Sequence, residues 1–566
     1  MKGKEKVESK RKAAALATLV SCAALVALAN ANKFIAGGWE FASATVDDIL
    51  AKADEYDRSS LDGCIVYLVA PTRAGYRLTS REIVHQPAWD WEDLKPLVPK
   101  YRQLMTHKAF RHSFLNSYRA ATNRLAWADD AAWAKLAHNM RLTARLAAAG
   151  GFVGLQMDPE DYYNQRQYDY VLSDAPSYAE AARLARRRGA EVFKGVFEEF
   201  PNVKILSYWL ASMDSMSLSA TDGRALAQVF ANKERDLWIP FLDGIFDVIT
   251  PQATLIEGLE HAYLWEASRD EYTRGAVIVR QNLVHLMAKE NQDKYRRQLQ
   301  TSFGVYLDGY STKTNGSYYM PPIEGSRLKH LALNVAQAAA AADEYLWLWG
   351  EKGTWAKNFY KRWEDRMPGL NDTLDAVKNP AALGRRIRER AAASGVPALN
   401  ANVACLGTDE KKMPKKYGSW QEPPSRRRQG VFGCDLKTGF GDSSSLVATG
   451  VERGCLQPRI FIPGRPGDIF GISFVSKGPH ASASVGWVRD GKWDWTIPRT
   501  LIPVTGEPDA DGWRRTDWAV MIPSGATGFG LMLDVDQQPG ERTWFDDVAI
   551  WPCVNETEQS EKEKTK

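Results

Sequence analysis

Between residues 33 and 349 the chain alternates short apolar runs with longer amphipathic stretches. Eight apolar runs of strand length occur there, namely Lys33–Phe41, Gly63–Val69, His112–Arg119, Phe152–Asp158, Val203–Leu210, Ala253–Glu257, Ser302–Asp308 and Tyr345–Trp349. The intervening stretches have helical character, the clearest being Asp130–Ala149, Tyr178–Phe200, Ala225–Phe246 and Glu271–Gln300. Strands that alternate with helices are typical of parallel βα units. Eight such units predict an α/β fold of the (β/α)8 TIM barrel type, with insertions.

An open doubly wound sheet is the main alternative architecture for this pattern. Such a sheet normally carries a glycine-rich phosphate-binding turn after its first strand. Gly37 and Gly38 are followed here by Trp39 and Glu40, and this segment is not such a turn. A repeat array is disfavoured because the units share no residue pattern. We therefore expect a barrel domain over residues 32–395.

The period of the sequence changes beyond about residue 431. Short alternating runs are separated there by Gly, Pro and Asp turns, the runs being Pro458–Ile462, Asp468–Ser476, Ala481–Val488, Trp518–Ile522, Thr527–Val535 and Thr543–Ala549. This pattern predicts an antiparallel β-sandwich over residues 431–554. A basic, proline-bearing linker over 396–430 would precede it. The charged tail, 555–566, is predicted to be disordered.

The net charge of +4 is concentrated at the N-terminus, where residues 1–12 hold six Lys or Arg and two Glu. The rest of the chain is neutral, which disfavours a nucleic-acid partner. The charged segment precedes an apolar run and the A-x-A site Ala29–Ala31, the arrangement of a secretory signal peptide over residues 1–31. We therefore expect a secreted or periplasmic protein without an integral membrane segment after cleavage. A lipid anchor through Cys22 is the alternative.

Five cysteines would remain after signal cleavage. Cys64 lies in an apolar run and is predicted to be a buried free thiol. The other four lie beyond residue 400, and an even number in an oxidising compartment predicts two disulfides. Four cysteines allow three pairings. We favour Cys405–Cys553, which bracket the sandwich, and Cys434–Cys455, which lie closer together.

Two carboxylates close the fourth run. Active sites of barrels lie at the carboxyl ends of the strands, and the fourth run ends at Asp158 with Glu160 two residues later. Alternation along a strand would point both side chains into the barrel mouth. Two close carboxyls split their pKa values, so that one stays ionised and the other protonated. This predicts acid/base chemistry suited to glycosidic bonds, with Glu160 as the general acid. A strand-end Asp that caps the next helix is the alternative interpretation of Asp158.

The ends of later runs supply further candidates. The carboxylates that could act with Glu160 are Glu257, Glu260, Asp308 and Glu351. For Glu257 and Glu260 the alternative is a loop salt bridge or a helix cap, for Asp308 it is a hydrogen bond to a loop, and for Glu351 it is an ion pair with Lys352. Candidate substrate-binding side chains are Trp347, Trp349, Tyr162, Tyr263, Tyr310 and His261. For the two tryptophans the alternative is packing in the barrel core. His261 has no second His or Cys at ligand spacing, so the sequence predicts no catalytic metal and no cofactor.

The segment around the fourth run resembles the D-G-x-D-x-D-x-E motif of family 18 chitinase-type glycoside hydrolases. Gly154, Asp158 and Glu160 match this motif, whereas Val153 and Gln156 depart from it. The resemblance implies that Glu160 is the acid and that Asp158 orients an acetamido group of the substrate. More broadly, residues 33–350 resemble secreted bacterial barrel glycosidases. That likeness implies an acid/base Glu after the fourth strand and a second carboxylate on a later strand.

The C-terminal region resembles carbohydrate-binding, galactose-binding-like jelly rolls. The residues that carry this likeness are Gly512-Trp513, Pro523–Ala526 and the closing Trp544–Val548. Four tryptophans could stack on sugar faces or pack inside the sandwich, namely Trp487, Trp493, Trp495 and Trp513. Asp546 and Asp547 could hold a structural calcium or bond a neighbouring loop.

Two hypotheses of different classes follow. The first is an exported glycoside hydrolase that cleaves an oligo- or polysaccharide by carboxylate acid/base chemistry, with carbohydrate as its partner. The second is a non-catalytic glycan-binding protein built on a barrel scaffold. The sequence leaves open the sugar, the linkage, endo or exo action, retention or inversion, and the oligomeric state.

Overall fold

The structure is a computed structural model, and it describes residues 32–119, 123–160, 166–171, 175–213, 237–316, 318–400, 405, 414 and 417–553. These residues form two compact units. The first is Asn32–Lys378, and the second begins at Asn379. The helix Pro380–Ser394, expected within the barrel domain, therefore lies in the second unit. There its Gly384 packs directly on the backbone of Trp518, a contact too close for a larger side chain.

A parallel sheet forms the core of the first unit. The strands of this unit are β1 (Lys33–Gly38), β2 (Gly63–Val66), β3 (Val69–Pro71), β4 (Arg77–Thr79), β5 (Phe114–Arg119), β6 (Gly154–Asp158), β7 (Lys204–Ser207), β8 (Thr254–Glu257), β9 (Leu299–Thr301), β10 (Phe303–Tyr306) and β11 (Tyr345–Gly350). β3 and β4 form a separate antiparallel hairpin. Within the described residues the other nine form one sheet in the order β10-β11-β1-β2-β5-β6-β7-β8-β9. Each of the eight predicted runs contributes a strand to it.

The ninth strand arises from a break in one stretch of chain. β9 pairs with β8, and β10 pairs with β11, yet only Ser302 separates β9 from β10. This stretch therefore connects the two ends of the sheet, which forms a nearly closed parallel barrel. The Ser302 N–H donates to the Glu257 carbonyl (2.8 Å) at the break. The predicted strand through Asp308 ends earlier, because Leu307–Tyr310 forms a 3-10 turn.

Helices surround the sheet. Those of the first unit are α1 (Trp39–Ala42), α2 (Val46–Leu50), α3 (Ala53–Asp57), α4 (Trp91–Leu94), α5 (Val98–Leu104), α6 (Asp130–Gly150), α7 (Tyr178–Glu199), α8 (Trp238–Val248), α9 (Glu271–Gln281), α10 (Lys289–Gln298), α11 (Arg327–Ala341), α12 (Trp363–Arg366) and α13 (Leu370–Lys378). The helices predicted at 130–149 and 178–200 are confirmed. Of the helix predicted at 225–246, residues 225–236 lie outside the described ranges. No helix within those ranges combines the length and the apolar character that a bilayer-spanning segment requires.

One predicted helix is divided in two. The pattern of Glu271–Gln300 predicted a single helix, whereas α9 and α10 are separated by the 3-10 turn Leu283–Leu286. The Asp243 carboxylate of α8 accepts the Ala288 N–H (3.0 Å) immediately before α10 begins. A tertiary hydrogen bond therefore fixes the start of α10, and helical periodicity does not reveal it.

The second unit consists of α14 (Pro380–Ser394) and antiparallel sheets. Its strands are β12 (Tyr417–Gln421), β13 (Val431–Asp435), β14 (Ser445–Thr449), β15 (Gly454–Pro458), β16 (Ile462–Pro463), β17 (Ile469–Lys477), β18 (Ala481–Arg489), β19 (Lys492–Trp493), β20 (Thr500–Ile502), β21 (Trp513–Met521), β22 (Gly528–Val535) and β23 (Arg542–Pro552). One sheet has the order β12-β15-β22-β18-β19, with β16 on β22 and β20 on β18. The other has the order β13-β14-β23-β17-β21. Both sheets contribute to a single buried core. β12 lies within the segment that the sequence predicted as a linker.

The cysteine pairs predicted for this unit are wrong. Cys405 is bonded to Cys434, with 5.8 Å between their Cα atoms. Cys455 keeps a buried thiol on β15, which lies in a different sheet from the β13 strand that carries Cys434. The thiol of Cys553 accepts a hydrogen bond from Arg390 (3.7 Å) instead of bonding to Cys405. Closeness in sequence did not predict closeness in space, because strand neighbours here are not consecutive. The prediction for Cys64 is confirmed, since it is a buried free thiol.

Candidate active site

A cavity of about 380 Å³ opens at the carboxyl ends of the barrel strands. Its lining residues are Trp39, Tyr67, Arg81, Asn116, Arg119, Asp158, Tyr208, Glu260, Tyr263, Tyr306, Tyr318, Trp349 and Glu351. Most of them lie on a strand or within three residues of its end, so residues far apart in sequence meet at one place. This is the face where barrels carry their active sites.

Glu260 is the carboxyl group with the most unusual environment in the cavity. Its Oε2 atom is buried and accepts no hydrogen bond from the described residues. Burial raises the pKa of Glu260 well above its usual range, and the negative charges of Asp158 and Glu160 raise it further. The indole N–H of Trp209 lowers this pKa only partly and is not well aligned for a hydrogen bond. Burial and the neighbouring negative charges thus favour the protonated form of Glu260.

The backbone turns sharply to bring Glu260 into the cavity. β8 ends at Glu257, and Leu259 adopts the left-handed conformation at φ 46° and ψ 64°. That conformation is unfavourable for a leucine and persists where surrounding contacts determine it. The Gly258 N–H donates to the Ser207 carbonyl (2.8 Å), and the Glu260 N–H donates to the Tyr208 carbonyl (3.2 Å). The end of β7 thus fixes the turn that carries Glu260.

Asp158 and Glu351 are the other carboxylates that line the cavity. Asp158 ends β6, where it lies opposite Arg119 of β5. Glu351 follows β11 and accepts a hydrogen bond from the Trp349 indole (3.4 Å). Burial raises the pKa of the Tyr306 hydroxyl, and the negative charge of Glu351 contributes to this shift. The charge of Glu351 also raises the pKa of Glu260. The cavity thus combines one carboxyl whose pKa is raised by burial with two carboxylates that have cationic or hydrogen-bonding neighbours.

The predicted acid, Glu160, is not among the residues that line the cavity. β6 ends at Asp158, and Pro159 follows, which has no N–H to continue the pairing. The backbone N–H of Glu160 donates to Asp158 Oδ1 (3.1 Å), so Glu160 lies in a turn and not on the strand face. The alternation used to orient both side chains therefore does not extend to Glu160. Its charge nevertheless acts on Glu260.

Two further predicted carboxylates are buried outside the cavity lining. Glu257 accepts the N–H groups of Leu210 (3.0 Å) and Ser212 (3.1 Å) and the Ser212 hydroxyl (2.6 Å). It thereby holds the segment after β7. Asp308 Oδ2 accepts the Glu351 N–H (2.6 Å), which fixes the backbone that carries Glu351. For Asp308 this is the loop hydrogen bond that the sequence left open as its alternative, whereas the alternatives for Glu257 did not include hydrogen bonds of this kind.

Of the predicted substrate-binding residues, some line the cavity and others are buried outside its lining. Trp349 and Tyr263 line the cavity. Trp347 is fully buried beneath it, where its indole donates to the Gly258 carbonyl (2.8 Å). Tyr310 accepts a hydrogen bond from Asn334 (2.7 Å) and is buried elsewhere. His261 packs edge-on against Trp209 and bonds the Ser212 carbonyl (3.1 Å). Tyr162, and Tyr163 beside it, lie outside the described residues.

Sequence reasoning missed most of the aromatic and basic lining. The missed residues are Trp39, Tyr67, Arg81, Asn116, Arg119, Tyr208, Tyr306 and Tyr318. A signal existed for several of them, since Trp39, Tyr67 and Tyr208 directly follow β1, β2 and β7. Arg119 and Tyr306 end β5 and β10. Applying the strand-end rule to aromatic and basic residues as well as to carboxylates would have found them.

The aromatic side chains form one wall of the cavity. Trp39 is 40% exposed and packs edge-on against Trp349, with ring centroids 5.8 Å apart. Tyr306 stacks on Tyr263 at 5.1 Å, and Tyr318 packs edge-on against Tyr306 at 5.2 Å. Flat, amphipathic surfaces of this kind suit a ligand with both apolar faces and hydroxyl groups.

Glu40, next to Trp39, is a second carboxyl with a raised pKa. Both of its oxygens accept the Trp355 N–H (3.1 and 3.2 Å), and the Tyr56 hydroxyl donates to Oε2 (3.1 Å). Burial raises the pKa of Glu40 to about 8 despite these hydrogen bonds. Glu40 does not line the cavity, and it links α1 to the segment after β11.

The second unit carries a cleft of its own, of about 560 Å³. Trp420 on β12 and Trp495 after β19 line it and are 48% and 63% exposed. Of the four tryptophans for which the sequence left open sugar stacking or packing in the sandwich, Trp487 and Trp513 are buried. Trp493 stacks on Trp495, with ring centroids 5.4 Å apart. The exposed aromatic surface of this unit therefore centres on Trp495 and on Trp420, which the sequence did not single out.

The residues considered for calcium do not fit a cation. Asp546 accepts the N–H groups of Phe440 (2.8 Å) and Asp547 (2.8 Å). Asp547 forms an ion pair with Arg515 (2.6 Å). Donor groups therefore occupy the carboxylate oxygens that a Ca²⁺ ion would need. The pair acts as a hydrogen-bonding link between neighbouring strands and loops.

No protein-family model matches the chain, and no curated protein matches it. Among solved structures, it is similar to the enzymatically active domain of bacteriophage CBA120 tailspike protein 4 (16% identity, 27% of this chain, 21% of that chain, TM-score 0.21). It is also similar to the CBM22-1 xylan-binding domain of Paenibacillus barcinonensis Xyn10C (10% identity, 25% and 89% covered, TM-score 0.20). A third similar structure is TmCBM61 in complex with β-1,4-galactotriose (10% identity, 27% and 99% covered, TM-score 0.18). The chain thus spans about a fifth of the tailspike domain, and TM-scores of this size do not define a shared fold.

Proposed function

We propose that this protein is a glycoside hydrolase whose catalytic groups lie in the barrel cavity. The observation that carries the proposal is the environment of Glu260, which lines the same cavity as Asp158 and Glu351. This carboxyl has a raised pKa and a buried oxygen without a hydrogen bond from the described part of the chain. A protonated acid close to ionised carboxylates is the arrangement that cleavage of a glycosidic bond requires. The aromatic wall supplies faces on which a sugar ring can stack.

The proposed reaction begins with proton transfer from Glu260 to the glycosidic oxygen, while the bond from that oxygen to the anomeric carbon breaks. In a retaining reaction, Asp158 or Glu351 attacks the anomeric carbon, and water later displaces it. In an inverting reaction, the same carboxylate deprotonates a water that attacks directly. In the retaining route Glu260 takes a proton from the displacing water and is thereby reprotonated, whereas in the inverting route the base releases its proton to solvent and Glu260 regains one from solvent. Glu160, the acid expected from the sequence, remains the alternative donor.

Two finer structural assignments belong to this proposal. We assign the nearly closed sheet to the (β/α)8 class, with β9 and β10 as the two halves of one barrel strand interrupted at Ser302. We assign the antiparallel sheets of the second unit to a jelly-roll module that binds carbohydrate. The exposed Trp420 and Trp495 support this second assignment.

Export is part of the proposed function, because polysaccharides lie outside the cell. The charged N-terminal segment, the apolar run and the site Ala29–Ala31 support a mature chain that begins near Asn32. A lipid on Cys22 is the alternative way to present the protein outside the cytoplasm.

A panel of oligo- and polysaccharides, assayed for new reducing ends and for binding, tests the function. We expect new reducing ends from at least one glycan. Binding without any release of reducing ends would instead support the second hypothesis, a non-catalytic glycan-binding protein. The aromatic wall is the observation that favours this alternative, since binding alone requires it. Neither binding nor hydrolysis across the panel would contradict both hypotheses.

A further inference from the structure

A cationic side chain faces the cavity beside the aromatic wall. Arg81 lines the cavity, and its guanidinium lies 4.8 Å from the ring centroid of Trp39. Within the described ranges, the guanidinium of Arg81 forms no ion pair with a carboxylate. A guanidinium presents planar N–H donors that match a carboxylate or a sulfate group.

Arg81 belongs to a turn that the barrel holds in place. It lies in the 3-10 turn Ser80–Glu82, directly after β4. The Ser80 hydroxyl donates to Asn116 Oδ1 (2.8 Å) and accepts the Leu68 N–H (3.1 Å). The Asn116 amide in turn donates to Gln156 Oε1 (2.6 Å). The turn is therefore fixed to β5 and β6, and with it the backbone from which the exposed Arg81 side chain extends.

The other arginine of the cavity has a carboxylate close by. Arg119 ends β5 opposite Asp158 in the strand register. Both residues also influence the Tyr67 hydroxyl, whose pKa burial and Asp158 raise and Arg119 lowers. Arg119 therefore has a negative charge within the protein to balance it, and Arg81 is the cation available to a ligand.

The cleft of the second unit combines the same two kinds of side chain. Arg453 and Arg499 line it together with the exposed Trp420 and Trp495. The nearest carboxylate contact of Arg499 is a long one to Asp534 (3.8 Å). This cleft of the second unit therefore also contains aromatic faces next to guanidinium groups. Two separate surfaces of one chain thus present the chemistry that binds an anionic sugar.

We propose that the substrate is an anionic polysaccharide, and that Arg81 binds a carboxylate or sulfate group of the sugar that stacks near Trp39. This inference rests on the proposed glycoside hydrolase function and specifies its substrate class. The cleft of the second unit binds the same polymer through Trp495 and Arg499. Uronic acids and sulfated sugars both carry the required negative charge. The test includes oligosaccharides of each kind, so that it distinguishes a carboxylate from a sulfate group as the bound anion.

The test compares acidic polysaccharides with matched neutral forms. Oligosaccharides of polygalacturonate, alginate, hyaluronan and κ-carrageenan are each assayed beside their carboxyl-reduced or desulfated counterparts. We measure kcat/KM from reducing ends and Kd by titration calorimetry, with the full-length mature chain. At least one acidic form should exceed its neutral counterpart by roughly tenfold to a hundredfold, the range of a charge-assisted hydrogen-bonded pair. Preference for a uronate or for a sulfated sugar identifies the anionic group.

Variants connect the preference to Arg81. Arg81→Gln should reduce the ratio of kcat/KM for the acidic form to kcat/KM for the neutral form to about one, and Arg81→Lys should restore part of that ratio. Arg296→Gln removes an exposed arginine on α10 and is the matched control, which should keep the preference.

Several outcomes separate this inference from the function on which it rests. Equal activity on acidic and neutral forms would overturn the inference and leave a glycoside hydrolase of neutral sugars. An acidic preference that survives in Arg81→Gln would also overturn it. Acidic-selective binding that depends on Arg81, without hydrolysis, would support the inference and contradict the hydrolase. Failure to bind or cleave any saccharide would overturn both.

Discussion

Glu257 and Glu260 are three residues apart, and their environments assign them opposite roles. Glu257 ends β8, and its carboxylate accepts three hydrogen bonds from residues 210–212. Glu260 lines the cavity with a buried oxygen that no described residue bonds. The left-handed Leu259 between them redirects the chain. A sequence pattern could name both glutamates as candidates, but it could not separate them, because the separation depends on one backbone angle.

Replacing Glu160 should shift the pH profile without abolishing catalysis. The negative charge of Glu160 raises the pKa of Glu260, so Glu160→Gln should lower that pKa. The acid would then lose its proton at a lower pH, and the alkaline limb of the kcat/KM profile should move to lower pH. Arg296→Gln should leave the limb unchanged. If Glu160→Gln instead lowers the rate by ~10²–10⁴ at every pH, Glu160 is itself the general acid.

Glu40 should make stability depend on pH in a defined direction. Its pKa is about 8 in the folded protein, above the ordinary value of 4.5. Between these values the folded state holds a proton that the unfolded state has released, so the free energy of unfolding should fall as pH rises from 4.5 to 8. Glu40→Gln should flatten this slope in thermal melts taken across that range. An unchanged slope in the variant would show that other groups cause it.

At the scale of secondary-structure elements, the sequence predicted the strands better than their ends. All eight apolar runs became strands, because burial on both faces of a parallel sheet leaves a continuous apolar signal. The break at Ser302 depends on a hydrogen bond to the distant Glu257. The turn after Asp158 depends on Pro159. Hydrophobic periodicity does not take either feature into account. The sequence could therefore predict that the cavity lies at the ends of β6 and β8. It could not predict that Glu160 is absent from the cavity lining.

We predict that Glu257 stabilises the segment after β7 and does not act on the substrate. Glu257→Gln keeps the shape of the side chain but weakens its bonds to the segment after β7. Loss of charge-assisted hydrogen bonds in a buried position should lower the free energy of unfolding by ~1–3 kcal/mol in chemical denaturation. Glu260→Gln is the matched control and should leave stability the same or higher, since it removes a poorly bonded buried carboxyl. A Glu257→Gln protein as stable as wild type would contradict this role.

At the scale of the whole molecule, composition and period predicted two kinds of folded unit in the right order. The α/β unit and the antiparallel unit follow from the change of hydrophobic period near residue 431. The boundary was less predictable, because α14 has the composition of a barrel helix and packs on β-strands of the second unit. The disulfide partner of Cys434 depends on strand order, which a linear pattern does not contain.

The N-terminal segment predicts where the mature chain begins. If the protein is exported as proposed, we expect it to begin near Asn32, because the charged segment, apolar run and A-x-A site have the arrangement of a cleavable signal. Mass spectrometry of the protein recovered outside the cytoplasm measures this directly. Replacing Ala29 and Ala31 with bulky residues should block cleavage. A mature form that retains Met1, or one that begins at a lipid-modified Cys22, would contradict the prediction.

The central claim is that Glu260 donates the proton that breaks a glycosidic bond. The most direct measurement is the rate of reducing-end release by Glu260→Gln on the glycan that wild type cleaves. Because glutamine keeps the shape but has no acidic proton, we predict a rate lower by ~10²–10⁴, with sugar binding and the thermal melt retained. Hydrolysis by Glu260→Gln at the wild-type rate would contradict the account.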